Sequence, residues 1–111
     1  MDLITAARHL IASRDGVDHR AEADAMRQYI ETVTFTPADE ILIVLREIAT
    51  GDWMAMPPWA RNLAYRLACL QRPADVSVLR EAAGDLLSFG PDWDNHAHEL
   101  HRQADEIEAA G

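Results

Sequence analysis

Apolar residues recur along this chain at intervals of three and four, the spacing that places side chains on one face of an α-helix. The alternating runs that are typical of strands are nearly absent, and the one β-branched run, 31–35, is too short to pair on its own. Gly and Pro residues interrupt the helical runs. The sequence therefore predicts an all-α fold of six helices, at about 2–14, 19–33, 37–50 and 57–71, from 73–75 to the break at 90–91, and at 92–108.

The third and fourth predicted helices have the strongest apolar character. In the third, Thr36 is the expected cap, and the segment ILIVLREIA is apolar around most of its circumference, which is typical of a buried helix. In the fourth, an apolar stripe is expected to face the core, with Trp59 as a core residue, while a stripe of small residues permits close approach of a neighbour. The two stripes are Trp59, Leu63, Leu67 and Leu70, and Ala60, Ala64 and Ala68. We expect these two helices to be the most buried.

Two matches at the same spacing indicate an internal repeat. The Pro-x-Trp helix starts at Pro57 and Pro91 lie 34 residues apart, and so do the segments LREIA at Leu45 and LREAA at Leu79. This period resembles that of tetratricopeptide-like arrays of helical hairpins, although the tetratricopeptide pattern of Trp, Leu-Gly and Tyr is absent, so no binding residues follow from it. We expect one domain, 1–111, of three antiparallel helical hairpins that stack on one another; a compact six-helix bundle is the alternative.

Composition narrows the classes of function. The formal net charge is −9, and all ten basic residues are Arg, which argues against binding to a nucleic-acid backbone. No run of residues approaches the length of a membrane span. The single cysteine permits no internal disulfide. We therefore expect a soluble, cytoplasmic protein that binds neither nucleic acid nor membrane.

The last predicted helix carries the sharpest chemical pattern. Asp94, His98, His101 and Asp105 follow one another at intervals of three or four and so share one stripe. Imidazole and carboxylate are ligands for Zn²⁺ and similar ions, but the spacing lacks the His-Glu-x-x-His pattern of helical zinc sites. Because Leu100, Ala104 and Ile107 occupy another side, the stripe is expected to face solvent. The prediction is a solvated face without metal, and a metal site or a pH-sensitive face is the alternative.

The loop at 52–59 is unusually apolar. Trp53, Met54 and Met56 lie in it, and Trp and Met are favoured where one protein anchors to another. Such a loop either folds back to seal the helices or presents a binding surface. These three residues are the predicted partner-binding residues.

The chain shows no catalytic constellation in its sequence. Cys69 lies among apolar residues and is expected to be a small core residue, and Arg61, Arg66 and Arg80 are expected to form surface ion pairs with acidic neighbours. We therefore expect no enzyme and no cofactor, but a small acidic adaptor, regulator or inhibitor that binds a protein partner through the apolar loop and a groove between hairpins. The alternatives are a protein that binds metal or a small ligand through the Asp/His stripe, and a structural homo-oligomer subunit.

Overall fold

The computed structural model describes residues 1–14, 16, 18–52, 55–87 and 94–110. These residues form six α-helices and no strand, which confirms the predicted all-α class. The helix bounds agree with the predicted ranges to within a few residues at each described end. The helices are α1 (Leu3–Ser13), α2 (His19–Thr34), α3 (Ala38–Asp52), α4 (Pro58–Gln71), α5 (Val76–Leu87) and α6 (Asp94–Ala110).

Local chemistry explains where several helices begin. The Asp2 carboxylate accepts a hydrogen bond from the Thr5 backbone N–H at 3.0 Å, and Asp18 does the same for the first turn of α2. Pro58 occupies the first turn of α4, where a missing N–H costs nothing. The start of α3 differs from the prediction, because the Thr36 hydroxyl donates back to the Thr32 carbonyl oxygen at 2.7 Å instead of capping α3.

A side chain from the end of α4 holds the start of α3 instead. The Gln71 Oε1 atom accepts a hydrogen bond from the Ala38 N–H at 2.7 Å, and its Nε2 atom donates to the Thr36 carbonyl oxygen at 2.9 Å. These bonds join the first residue of α3 to the last residue of α4, so the two helices run antiparallel. The helices α5 and α6 are also antiparallel, since Nη2 of Arg80, in the first half of α5, lies 3.0 Å from Oε1 of Glu108, near the end of α6.

Neighbouring helices pair as α1 with α2, α3 with α4 and α5 with α6, and the first two pairs stack through α1 on α3 and α2 on α4. Ion pairs join the first helices of successive hairpins. The Arg8 guanidinium of α1 lies 3.4 Å from the Glu47 carboxylate of α3, and the Arg46 guanidinium of α3 lies 2.9 Å from the Glu81 carboxylate of α5. Both glutamates come from the repeated Leu-Arg-Glu segments. The described residues extend over 50 × 29 × 22 Å, an elongated shape that suits stacked hairpins.

The main hydrophobic core lies within the first two hairpins. Its largest fully buried side chain is Tyr29 of α2, which packs among residues of α1, α3 and α4, and Val78 of α5 joins it. In α3, Ile41, Leu42, Val44 and Leu45 are buried, whereas Ile43 on its outer side is 60 % exposed. The prediction that α3 and α4 are the most buried helices was wrong, because α5 buries a larger share of its residues: Val78, Leu79, Ala82, Ala83, Asp85 and Leu86. A second, smaller core lies within the third hairpin and contains Ala83, Leu86 and Ala97.

The most buried face of α4 is the stripe of small residues that was predicted to permit close approach of a neighbour, and of the predicted apolar stripe only Leu63 and Leu67 pack, partly buried, against the main core. The fully buried residues of α4 are Ala60, Ala64 and Ala68, whereas Leu70 is 76 % exposed and Trp59 is 37 % exposed. The prediction that Trp59 and Leu70 belong to the core was therefore wrong. The physical reason is crowding: α4 contacts α2, α3 and α5, and only a stripe without bulky side chains lets three neighbours approach.

None of the helices in the described residues is both long enough and apolar enough to cross a membrane.

Candidate functional site

A groove lies where the second hairpin meets the third. It consists of a cavity of about 300 Å³ between α4, α5 and α6, and of an adjoining cavity of about 250 Å³ toward the start of α6. The two share Asn62 and Arg66 on one side and Leu86 and Leu100 on the other. We call this surface the hairpin groove.

The outer face of α4 forms one wall of the hairpin groove. Residues there recur at intervals of three and four, which is why one helix presents them together. The opposite wall comes from α5 and α6 and is mostly apolar. The lining residues of the larger cavity are Asn62, Tyr65, Arg66, Cys69, Leu70 and Pro73 on the α4 side, Leu79, Ala82, Asp85 and Leu86 from α5, and Leu100 and Gln103 from α6.

A buried ion pair joins the two walls. The Arg61 guanidinium of α4 pairs with Oδ1 of Asp85 on α5, and their side chains are only 12 % and 4 % exposed. The sequence predicted surface ion pairs for Arg61, so its burial corrects that prediction. The pair therefore crosses the interface between the second and third hairpins.

The second oxygen of Asp85 is unsatisfied. Oδ2 is buried and has no hydrogen-bond partner among the described residues. Burial raises the pKa of the Asp85 carboxyl, an effect that the positive charge of Arg61 opposes. A buried carboxylate oxygen without a donor is costly, so Asp85 lowers the stability of the interface between α4 and α5 unless it is protonated.

Unlike Asp85, two other titratable groups that line the groove, the Tyr65 hydroxyl and the Cys69 thiol, are neutral near pH 7. Burial raises the pKa of the Tyr65 hydroxyl, and the negative charges of Glu81 and Asp85 raise it further. Burial also raises the pKa of the Cys69 thiol, with Asp75 contributing. A thiol without a lowered pKa is a poor nucleophile, so the groove offers binding surface rather than an activated cysteine.

The Asp/His stripe of α6 is brought against an arginine. The Arg80 guanidinium lies 2.8 Å from Asp105 and 3.0 Å from Glu108, and its Nη1 donates to His101 Nδ1 at 3.3 Å. His98 is exposed. Within the described residues, no group of three or more His, Cys, Asp or Glu side chains is arranged to hold a metal ion. A cation of the chain itself thus occupies the position between Asp105 and His101.

The structure separates the members of the apolar loop. Met56 is only 3 % exposed and packs into the main core beside α3 and α4, so it does not present a surface to a partner, contrary to the prediction. The reason is that Met56 directly precedes the Pro57–Pro58 start of α4 and fills the space at that end of the hairpin. Trp53 and Met54 lie outside the described residues.

Sequence reasoning expected a groove between hairpins but did not identify the residues that line it, although two signals for them exist. One is Asp85 itself, a charged residue between Ala82 and Leu86 on the inward side of α5. The other is the presence of two candidate inner faces on α4, of which only one can be buried. Neither signal gives the distance between α4 and α6, which creates the cavity.

Comparison with known proteins gives no relative: no protein-family model, no curated protein and no solved structure matches this chain.

Proposed function

We propose that this chain is a non-catalytic protein-interaction module that holds a helical segment of a partner protein in the hairpin groove. The observation that supports the proposal is the groove itself, an apolar cleft between α4 and α6 with the exposed Leu70 at its edge. Grooves between helices accept the apolar face of an amphipathic helix. Exposed apolar residues beside a cleft are typical of binding surfaces.

The charge of the chain indicates the chemistry of the partner. With a net charge of −9, the module attracts a segment whose polar face is basic and repels an acidic one. Such attraction mainly raises the association rate and the specificity, whereas the apolar contacts in the groove determine the lifetime of the complex. The proposed occupant is therefore an amphipathic helix with Leu- or aromatic-type anchors and a polar face of Lys and Arg.

The loop residues Trp53 and Met54 remain proposed as additional anchors for the same partner. Their contribution is tested by measuring peptide binding to Trp53→Ala and Met54→Ala. Met56 is not included, because its side chain is buried.

The test uses labelled amphipathic helical peptides with basic polar faces and a matched panel in which each Lys or Arg is replaced by Glu. Binding is measured by fluorescence anisotropy at two salt concentrations. We expect binders in the basic panel only. Leu70→Glu should weaken their binding by about tenfold or more, since it places a charge at the edge of the apolar cleft.

Ile43→Glu is the matched control for this test. Ile43 is 60 % exposed on α3 and does not line the hairpin groove. Like Leu70→Glu, the substitution replaces an exposed apolar side chain by a carboxylate and adds one negative charge. Equal weakening by both variants would indicate a general effect of charge. That result, or a panel without binders, would contradict the proposed function.

A further inference from the structure

Arg66, on the outer face of α4, pairs with no carboxylate among the described residues. Its side chain is exposed and lines both cavities of the hairpin groove. The two carboxylates that line these cavities are already engaged: Oδ1 of Asp85 pairs with Arg61, and Oε2 of Glu99 lies 2.9 Å from Nε of Arg102. The groove therefore presents one positive charge that the carboxylates of the described residues leave unneutralised.

An unpaired arginine is unusual in this chain, because acidic residues outnumber basic ones by nineteen to ten. Within the described residues, most arginines form ion pairs, namely Arg8, Arg27, Arg46, Arg61, Arg72, Arg80 and Arg102. Arg14 donates to the Ala55 carbonyl oxygen at 3.3 Å. Arg20 also lacks an ion pair in the described part of the chain, but it lines neither cavity. Arg66 thus combines an unpaired charge with a position in a cleft.

The surroundings of Arg66 suit an anion that carries an apolar group. Asn62 lies one turn earlier on the same face of α4 and lines both cavities, so its amide adds a neutral donor beside the guanidinium. A guanidinium binds a carboxylate through two parallel hydrogen bonds. The opposite wall is apolar in both cavities, through Leu86 of α5 and Leu100 of α6. These groups are complementary to a carboxylate with an apolar side chain next to it.

We infer that Arg66 binds the C-terminal carboxylate of the partner segment, with Asn62 as a second donor and the last apolar side chain of the segment against Leu86 and Leu100. This inference rests on the proposed function for the helical segment. The C-terminal end of a helix also carries unpaired carbonyl oxygens and a partial negative charge, which a cation stabilises. The inference fixes the direction of the segment, because its chain end lies at Arg66, where the two cavities adjoin.

Other charged groups of a helical segment fit this position less well. An Asp or Glu side chain belongs to the polar face of an amphipathic helix, whereas the face in the groove is apolar. A C-terminal carboxylate directly follows the last apolar residue and belongs to neither face. A Lys or Arg side chain would bring a second positive charge to Arg66.

Two forms of one peptide provide the first test. A basic helical peptide that ends in Leu is made with a free C-terminal carboxylate and with a C-terminal amide, and its binding to the full chain is measured by fluorescence anisotropy. We expect the carboxylate form to bind about tenfold more tightly. The net charge of −9 has the opposite effect, since it repels the added negative charge. The sign of the difference therefore separates a contact with Arg66 from the attraction of the whole molecule.

Arg66→Gln is the variant for this test, and Arg20→Gln is its matched control. Each substitution removes one positive charge from an exposed side chain that has no ion pair within the described residues. The preference for the carboxylate form should disappear in Arg66→Gln and persist in Arg20→Gln. In the wild type, the free-acid peptide should shift the NMR signal of the Arg66 Nε–H group and leave that of Arg20 in place.

A third peptide tests where the carboxylate lies. Three residues, Gly-Ser-Gly, are added after the terminal Leu, and we expect this peptide to bind as weakly as the amide. Equal or tighter binding of the amide form to the wild type, full binding of the extended peptide, or a preference that persists in Arg66→Gln would overturn the inference. If binding in those cases still depends on Leu70, the proposed function stands. Peptides that bind in none of these forms would contradict both.

Discussion

Asp85 shows how one buried charge responds to two opposed influences. Its side chain is 4 % exposed, so burial disfavours the carboxylate, while the Arg61 guanidinium favours it. Burial is the larger influence, and the pKa of Asp85 is raised above its ordinary value of 3.8. A raised folded-state pKa means that the folded protein binds a proton more readily than the unfolded chain between the two values.

The first prediction concerns the pH dependence of stability. Asp85 favours the folded state most when protonated, below its ordinary pKa of 3.8, and this contribution is lost as the pH rises through the folded-state pKa. In Asp85→Asn, the side-chain amide does not titrate, so the variant lacks this contribution. The free energy of unfolding of the wild type minus that of Asp85→Asn should therefore fall as the pH rises from below 3.8 through the folded-state pKa of Asp85.

Urea denaturation of both proteins at a series of pH values and constant ionic strength provides this difference. Subtracting the variant removes the contributions of the other acidic residues, which titrate in both proteins. A difference that rises with pH would show that the attraction of Arg61 exceeds the effect of burial.

At the scale of the element, α4 owes its position to small side chains. Ala60, Ala64 and Ala68 form a fully buried stripe where α4 passes α2, α3 and α5. The Ala60 carbonyl oxygen accepts the Tyr29 hydroxyl on the same face. Close packing of backbones at this stripe turns the bulkier residues of α4 outward, and so creates the wall of the hairpin groove.

The second prediction follows from that packing. Ala64→Leu adds volume at a site with no room for it and should lower the free energy of unfolding by about 1 to 3 kcal/mol. Ala49→Leu is the control, since Ala49 is exposed on α3 and Leu has a helix propensity close to that of Ala. Chemical denaturation measures both variants. Similar stabilities of the two variants would mean that the interface around α4 has spare volume.

The sequence was sufficient to predict the helices but not to predict which helices pack against one another. Helical periodicity, with Gly and Pro at the ends, predicted six helices because these signals are local. Burial of Ala64 instead of Trp59, and the pairing of Arg61 with Asp85, depend on which helices meet. Such contacts join residues far apart in the chain, and two different faces of α4 satisfy the same local rules. Both leucines of the repeated segments, Leu45 and Leu79, are buried.

At the scale of the molecule, the hydrophobic core is unevenly divided. The main cluster unites α1 to α4 around Tyr29, and α5 contributes Val78 to it. The third hairpin has its own smaller cluster, and the buried residues of α6 are two alanines, Ala97 and Ala104. The hairpin groove lies along the boundary between the two clusters, so a ligand there would add contacts where the described residues have the fewest large buried side chains.

The third prediction is that the third hairpin opens more easily than the first two. The helix α6 buries little apolar area, and its Arg80 contacts with Asp105 and Glu108 are exposed ion pairs, which contribute little to stability. Backbone amides in the middle of α6 should therefore exchange with solvent through openings of lower free energy than amides around Tyr29 in α2. Native-state hydrogen exchange followed by NMR measures both. Added salt should lower the protection of α6 and leave that of α2 almost unchanged, because α6 is joined to α5 by exposed ion pairs and α2, among the described residues, has no such pair with another helix. Equal protection of α2 and α6 under all conditions would show that the three hairpins unfold as one cooperative unit, in which the groove is as rigid as the core.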